Sequence, residues 1–251
     1  MKKPLVSIIM NCYNSDEFLR EALDSVFSQT YANWEIIFWD NKSTDNSAEI
    51  AVTYGQKLKY YKSQEHTTLY TARNLALKKC NGDYIAFLDC DDIWVETKLD
   101  KQIKLALSGY DIIYGGYDTI NSLGTTISNE LKYLVSGKIT NALFRRNSIS
   151  IGTILIKSSI LQDEQFDPFY DLLGDYDLWV RLSKFNLIAT VPSVVEHYRR
   201  HDNNITMTMS NKWLSERRHF YRKHMSIINI LRYPWIIYYI LKSEILGVVR
   251  R

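Results

Sequence analysis

Three carboxylates fall within four residues in Phe87-Leu88-Asp89-Cys90-Asp91-Asp92. Charges that close repel, and the economical counter-charge is a hard divalent cation. Mg²⁺ or Mn²⁺ is typically held by one or two carboxylates, with a substrate diphosphate completing the shell. Asp89, Asp91 and Asp92 are therefore candidate metal ligands. The alternative is an ordinary acidic loop, solvated or capping the helix suggested over 97–108. There is no Gly-x-Gly-x-x-Gly after the first apolar run and no Gly-x-x-x-x-Gly-Lys-Ser/Thr, so phosphates would be held by metal and side chains. A second acidic pair, Asp175 and Asp177, opens a helical pattern over 174–182 with Leu178, Leu182 and Phe185 marking an inward face. On residue type alone, either carboxylate reads as a cap or dipole partner worth about 1 kcal/mol.

The elements that must position these groups follow from periodicity. Apolar, β-branched runs at 5–10, 34–39, 58–61 and 84–88 read as strands, and helical patterns at about 17–27, 47–54 and 69–80 separate them. In the first helix Phe18, Leu19, Ala22, Leu23, Val26 and Phe27 define the packed face. Strands alternating with helices imply an α/β fold with a mostly parallel sheet. Right-handed crossovers then place the strand-to-helix loops along one sheet edge. Asn11 to Asn14, Asp40 to Asp45 and Asp89 to Asp92 must gather there, where open α/β sheets bind ligands. Beyond them, 111–117, 149–156, 187–191 and 194–199 read as further strands.

Composition narrows the class. A chain of 251 residues, 46% hydrophobic, can build one sizeable core with a small appendage. The net charge of +3 is spread along the body of the chain, which excludes a nucleic-acid footprint there. Cys12, Cys80 and Cys90 are odd in number and sit in apparent core elements, suiting a reducing compartment. The first apolar run is too short for a secretion signal, so a cytoplasmic location is expected.

Six stretches carry a resemblance: Val6-Ser7-Ile8-Ile9-Met10-Asn11-Cys12-Tyr13-Asn14, Ser28-Gln29-Thr30-Tyr31, Trp34-Glu35-Ile36-Ile37, Asp40-Asn41-Lys42-Ser43-Thr44-Asp45, Ala72-Arg73-Asn74, and the acidic run itself. In order and spacing they resemble the family 2 glycosyltransferases over residues 5 to about 205. The resemblance implies a GT-A fold, a single Rossmann-like sheet flanked by helices. It also implies an inverting, metal-dependent transfer from a nucleotide-diphosphate sugar to a saccharide or lipid-linked saccharide acceptor. Residues 1–118 would form the nucleotide half and 119–210 the acceptor half, with 119–146 supplying acceptor-side loops. Asp175 would be the catalytic base, although many relatives carry Glu before it where this chain has Gly174. Asp91 would hold the cation, Asp92 would help orient it, and Asp89 would contact ribose or donor sugar. His201, in the pattern Tyr198-Arg199-Arg200-His201, would reach the metal or diphosphate; a lone His is more often structural. Asn11, Tyr13, Asn14, Asp40 and Asn41 would line the donor site, Asn41 standing where relatives often carry a second acid. Arg73 either holds phosphate or makes a structural ion pair.

Residues 211–251 depart from this pattern. Apolar pairs such as Ile227-Ile228 and Trp235-Ile236 recur at helical spacing among arginines and lysines, but no stretch approaches the roughly 20 residues of a membrane span. The tail reads as amphipathic helices lying on an anionic membrane surface, or else packed back on the domain. Two other classes share parts of this pattern. A sugar-phosphate nucleotidyltransferase would need a Gly-rich loop where Asn11 to Asn14 stand. A non-catalytic nucleotide-sugar-binding or scaffold protein would lack the base or the acids.

Overall fold

The computed structural model describes residues 3–209 and 212–224. In chain order the elements are β1 (Val6–Cys12), α1 (Asp16–Phe27), β2 (Trp34–Asp40), α2 (Ser47–Val52), β3 (Leu58–Lys62), α3 (Leu69–Leu77), β4 (Tyr84–Phe87), β5 (Ile93–Trp94) and α4 (Lys98–Leu107). There follow β6 (Ile112–Ile120), β7 (Thr126–Asn129), α5 (Thr140–Arg145), β8 (Leu155–Lys157), α6 (Ser158–Asp163), α7 (Gly174–Ser183), β9 (Ile188–Arg199), α8 (Ile205–Thr208) and α9 (Trp213–His224). One sheet orders the strands β3-β2-β1-β4-β8-β6-β9-β5, with β7 on β6. The first four of these are parallel, in register Val6↔Trp34 and Val6↔Tyr84. β8 runs antiparallel to both β4 and β6.

Both faces of the parallel half are covered, which is why its strands are apolar throughout rather than alternating. Ile9, Ile37 and Phe87 face one core with Tyr70 and Trp179, while Ile8, Met10, Phe38 and Ala86 face the other with Leu19 and Leu23. The level registers of β1, β2 and β4 bring their carboxyl ends to one edge. At the opposite edge the buried Ser7 hydroxyl accepts from the Gly82 amide at 2.8 Å and donates to Glu35 at 2.7 Å. Gly82 is required there, since a Cβ would lie 2.5 Å from the Ser7 backbone nitrogen.

Several expectations are corrected. Phe185 is 84% exposed, because α7 ends at Ser183 and its period no longer applies. Phe27 is also exposed, its ring lying against Trp34 and Tyr54 at the surface. The runs 187–191 and 194–199 are one strand, β9, with a register shift where Pro192 and Ser193 fall between Val191 and Val194, as a residue without an N–H requires. The expected strand over 149–156 begins as a 3₁₀ turn at Ile151–Thr153. The interval 119–146 contains β7 and α5 as well as loops.

The tail divides. Its first part, α9, packs on the domain: Phe220 is fully buried, its ring stacked on Tyr176 with centroids 4.4 Å apart. His224 and Lys223 both reach the buried carboxylate of Asp177, at 2.7 and 2.9 Å. The boundary expected at residue 210 is thus not a packing boundary, and the interfacial reading does not apply to 213–224. Residues 225–251, where the apolar pairs cluster, lie outside the described residues. Among the described residues no helix is long and apolar enough to cross a membrane. Phe220→Ala should cost about 3–5 kcal/mol of stability, read from the shift of the urea unfolding curve; a loss below about 1 kcal/mol would place α9 outside the cooperative unit.

Candidate active site

Each carboxylate of the acidic loop has its own partner. Asp89 pairs with Arg73 of α3 at 2.6 Å, and that guanidinium is buried, with Tyr70 beneath it at 5.3 Å. Asp91 meets His201 Nε2 at 3.0 Å and the Asn204 amide at 3.1 Å, both from the segment after β9. Asp92 is buried, and it accepts the Arg199 backbone N–H at 2.7 Å. Burial and the neighbouring carboxylates hold the Asp92 proton affinity well above the usual carboxylate range. Asp92 is therefore a structural tie between loop and strand, and it also lines the smaller cleft beside Asp89 and Asp91. Hydrogen bonding to Asp91 pushes the His201 imidazole pKa upward.

Asp89 and Asp91 stand where two clefts meet. The larger, about 660 Å³, is lined by Asn11, Tyr13, Asn14, Asn41, His66 and His201. Asn11 presents a buried side-chain amide with neither the oxygen nor the nitrogen bonded within the protein, an arrangement that calls for an outside partner. Tyr13 is half exposed, and its ring lies 4.1 Å from that of His66. Asn14 adopts a left-handed φ of 50° and accepts the Thr44 amide at 2.8 Å, joining the first two loops.

Of two further expected donor residues, Asp40 is buried in the scaffold, and Asn41 lines the larger cleft while also bonding a neighbouring loop. Asp40 is fully buried, accepting from the Ser43 amide at 2.7 Å and the Tyr60 hydroxyl at 2.5 Å. The Asn41 amide donates to the Thr67 carbonyl at 2.7 Å and accepts from the Thr67 amide and hydroxyl at 3.2 and 3.1 Å. Its hydrogen-bonding capacity fixes the loop carrying His66, so the replacement of an acid by Asn41 has a local structural reason.

The second cleft, about 340 Å³, is lined by Tyr70, Arg73, Asp89, Asp91 and Asp175, together with Leu172, Ile205 and Trp213. Asp175, in the first turn of α7, accepts the Tyr176 amide at 2.7 Å and the Tyr70 hydroxyl at 3.3 Å. Desolvation raises its pKa, opposed by the nearby Arg73 charge, a poise suited to a general base. Asp177 is the opposite case: fully buried, it is held well below the usual carboxylate range by bonds from His224, Lys223 and Arg181 that outweigh burial. Gly174 is explained by the Tyr70 ring, which a Cβ would approach to 2.6 Å. The side chain that relatives carry here would displace the ring that bonds Asp175.

The donor set accommodates a cation only with help. Among the described residues no three His, Cys, Asp or Glu side chains gather to hold a metal. Asp91, with His201 beside it, offers one carboxylate and one imidazole, which fits Mg²⁺ or Mn²⁺ completed by substrate phosphate.

The main residue missed from sequence is Arg199. Its buried fork donates to the Asp91 carbonyl at 2.9 Å, the Ser122 carbonyl at 3.1 Å and Glu21 at 2.6 Å. Asn204 and Tyr70 were also missed. Only the proximity of Arg199 and Asn204 to His201 in sequence hinted at them.

Comparison with known proteins agrees with this geometry. The model of the family described as glycosyl transferase family 2 matches residues 7–160. The UDP-Glc:α-D-GlcNAc-diphosphoundecaprenol β-1,3-glucosyltransferase WfgD of Escherichia coli is 33% identical over 251 residues, covering 97% of this chain and 94% of that protein. The putative teichuronic acid biosynthesis glycosyltransferase TuaG of Bacillus subtilis is 28% identical over 240 residues, 93% of each. The crystal structure of Staphylococcus aureus TarS 1-349 with UDP-GlcNAc superposes with a TM-score of 0.68 at 19% identity, covering 86% of this chain and 65% of that one. This chain thus spans just under two thirds of TarS 1-349, and the likeness is one of fold. The sequence match and the GT-A architecture place the chain in glycosyl transferase family 2, as an inverting glycosyltransferase.

Proposed function

We propose that this enzyme transfers a hexose from a UDP-sugar to a hydroxyl of a lipid-linked diphosphate sugar, in the assembly of a bacterial surface polysaccharide or glycolipid. The observation that carries the reading is the meeting of two clefts at Asp89 and Asp91, the smaller lined by a desolvated carboxylate, Asp175, and the larger by the unpartnered Asn11 amide. Names of similar proteins supply the chemical class: WfgD takes UDP-glucose and a GlcNAc diphosphate lipid, and TarS was crystallised with UDP-GlcNAc.

In this reading the nucleotide lies in the larger cleft, with Tyr13 and His66 forming its aromatic shelf and Asn11 bonding to it. Asp89, oriented by Arg73, faces the ribose or donor sugar, and Arg73 supplies positive potential to the diphosphate. Asp91, with His201 adjacent, would hold a divalent cation, which would supply charge neutralisation for the departing diphosphate. Asp175 accepts the acceptor hydroxyl proton as the oxygen attacks the anomeric carbon in line, and the Tyr70 hydroxyl and Tyr176 amide keep that carboxylate aimed. Arg199 acts only through the loop backbone. Peripheral attachment to the inner face of a membrane, through residues beyond 224, would bring the enzyme to a lipid-linked acceptor.

Asp175→Asn should lower transfer by about 10²–10⁴-fold while UDP affinity stays within about three-fold. In the wild type the base must be ionised, so its raised pKa predicts that the rate falls on the acid side at a pH above the ordinary Asp range. Near-normal turnover of the variant would move the base elsewhere. Asp177 is not the substitute, because Asp177→Asn would act on stability.

Calorimetric titration of UDP into the enzyme should show affinity at least about ten-fold tighter with Mg²⁺ or Mn²⁺ than in EDTA, a difference of roughly 1.4 kcal/mol. Equal affinity in the two buffers would remove the cation from donor binding.

A further inference from the structure

The helix α9 carries two side chains into the acceptor-side cleft region from positions three apart, Trp213 and Glu216, hence from one helical face. Trp213 lines the cleft itself. Its indole N–H donates to the Thr206 carbonyl at 3.4 Å, so what it offers the cleft is ring surface rather than a hydrogen bond. Glu216 is buried, and its carboxylate accepts three successive backbone amides: Asp171 at 2.9 Å, Leu172 at 3.0 Å and Leu173 at 2.9 Å. Those residues line the same cleft and lead directly into the first turn of α7, where Asp175 sits. Lys212 adds an ion pair to the Asp171 side chain at 2.5 Å. One helix thus supplies an aromatic surface and clamps the segment that carries the base.

The chemistry of the cleft suits a pyranose. Trp213, Leu172 and Ile205 offer apolar surface to the C–H face of a sugar ring, while Asn147 and Ser150 offer groups to its hydroxyls. We infer that α9 builds the acceptor-sugar subsite: Trp213 is the specificity-determining surface on which the acceptor ring packs, and Glu216 is the positioning residue that fixes the 171–173 wall and the approach to Asp175. The inference rests on the transferase reading above and adds the residues that select the acceptor. It also assigns a role in the reaction to a helix that lies beyond the family match, which ends at residue 160.

The test uses the full chain, UDP-glucose as donor, and an N-acetylglucosaminyl diphosphate on a short alkyl chain as acceptor. Trp213→Leu keeps an apolar side chain and loses the ring, and it should raise acceptor KM about ten-fold. Donor KM and the slow hydrolysis of UDP-glucose without acceptor should stay within about three-fold. Trp213→Phe should restore most of the acceptor affinity. Glu216→Gln, which sets an amide N–H against a backbone donor, should lower transfer at unchanged donor KM. Unchanged acceptor KM in Trp213→Leu overturns the inference, as does a parallel rise in donor and acceptor KM, the signature of a merely structural role. A wild type that hydrolyses UDP-glucose yet never glycosylates this acceptor overturns instead the acceptor class on which the inference rests.

Discussion

Three carboxylates within four residues cannot share one environment, and the fold is arranged so that they do not. Asp89 is matched by a buried guanidinium from α3, Asp91 by an imidazole and an amide after β9, and Asp92 by a backbone amide of β9 itself. Each solution recruits a different segment, so the acidic loop adds ties to α3, to β9 and to the segment after β9, beyond the pairing of β8 with β4 and β6 that joins the two halves of the sheet. Arg199 completes the tie from below, with its fork on the loop carbonyls and its guanidinium 4.5 Å from the Phe18 ring of α1. The cost is visible beneath the loop: Glu196 of β9 is fully buried, and desolvation pushes its pKa up to about 7, while Lys98 nearby is pushed down to about 7. Of the three acids, Asp91 alone is matched by an imidazole and a side-chain amide rather than by a guanidinium or a backbone N–H.

The same logic recurs at α7. Two acids in its first turn have been driven to opposite roles by their surroundings. Asp177 is bonded by the cationic groups of Arg181 and Lys223 and by the His224 imidazole, and it is a folding element. Asp175 has a phenol, a backbone amide and a cleft. Two carboxylates two residues apart, with proton affinities pushed in opposite directions, are how one helix can supply both a structural anchor and a base. α9 provides two of the three partners of Asp177 and the Glu216 clamp, which explains why this first part of the tail packs on the domain.

Much of this was legible beforehand. Apolar runs and their loops placed β1, β2 and β4 and the convergence of three polar loops, because a sheet buried on both faces leaves continuous hydrophobic strands. That Asp91 and Asp175 line one cleft was expected from the family resemblance of the motifs that carry them. What was not legible lay in long-range polar contacts: that Asp40 and Asn41 would be consumed by Tyr60, Ser43 and Thr67, that Asp92 would turn to Arg199, and that Gly174 makes room for Tyr70. Nothing in local spacing encodes a hydrogen bond across 107 residues, such as that between Asp92 and Arg199. Phe185 misled for a simpler reason, since a helical period continues in sequence past the point where the helix stops.

The division of labour among the acids is most directly tested by electron paramagnetic resonance of Mn²⁺ titrated into the UDP-bound enzyme and its Asp91→Asn and Asp92→Asn variants. The account predicts one bound Mn²⁺ in the wild type, retained within about three-fold affinity in Asp92→Asn and weakened by about ten-fold or more in Asp91→Asn. Equal loss in both variants with the fold intact, or full retention in Asp91→Asn, would contradict it.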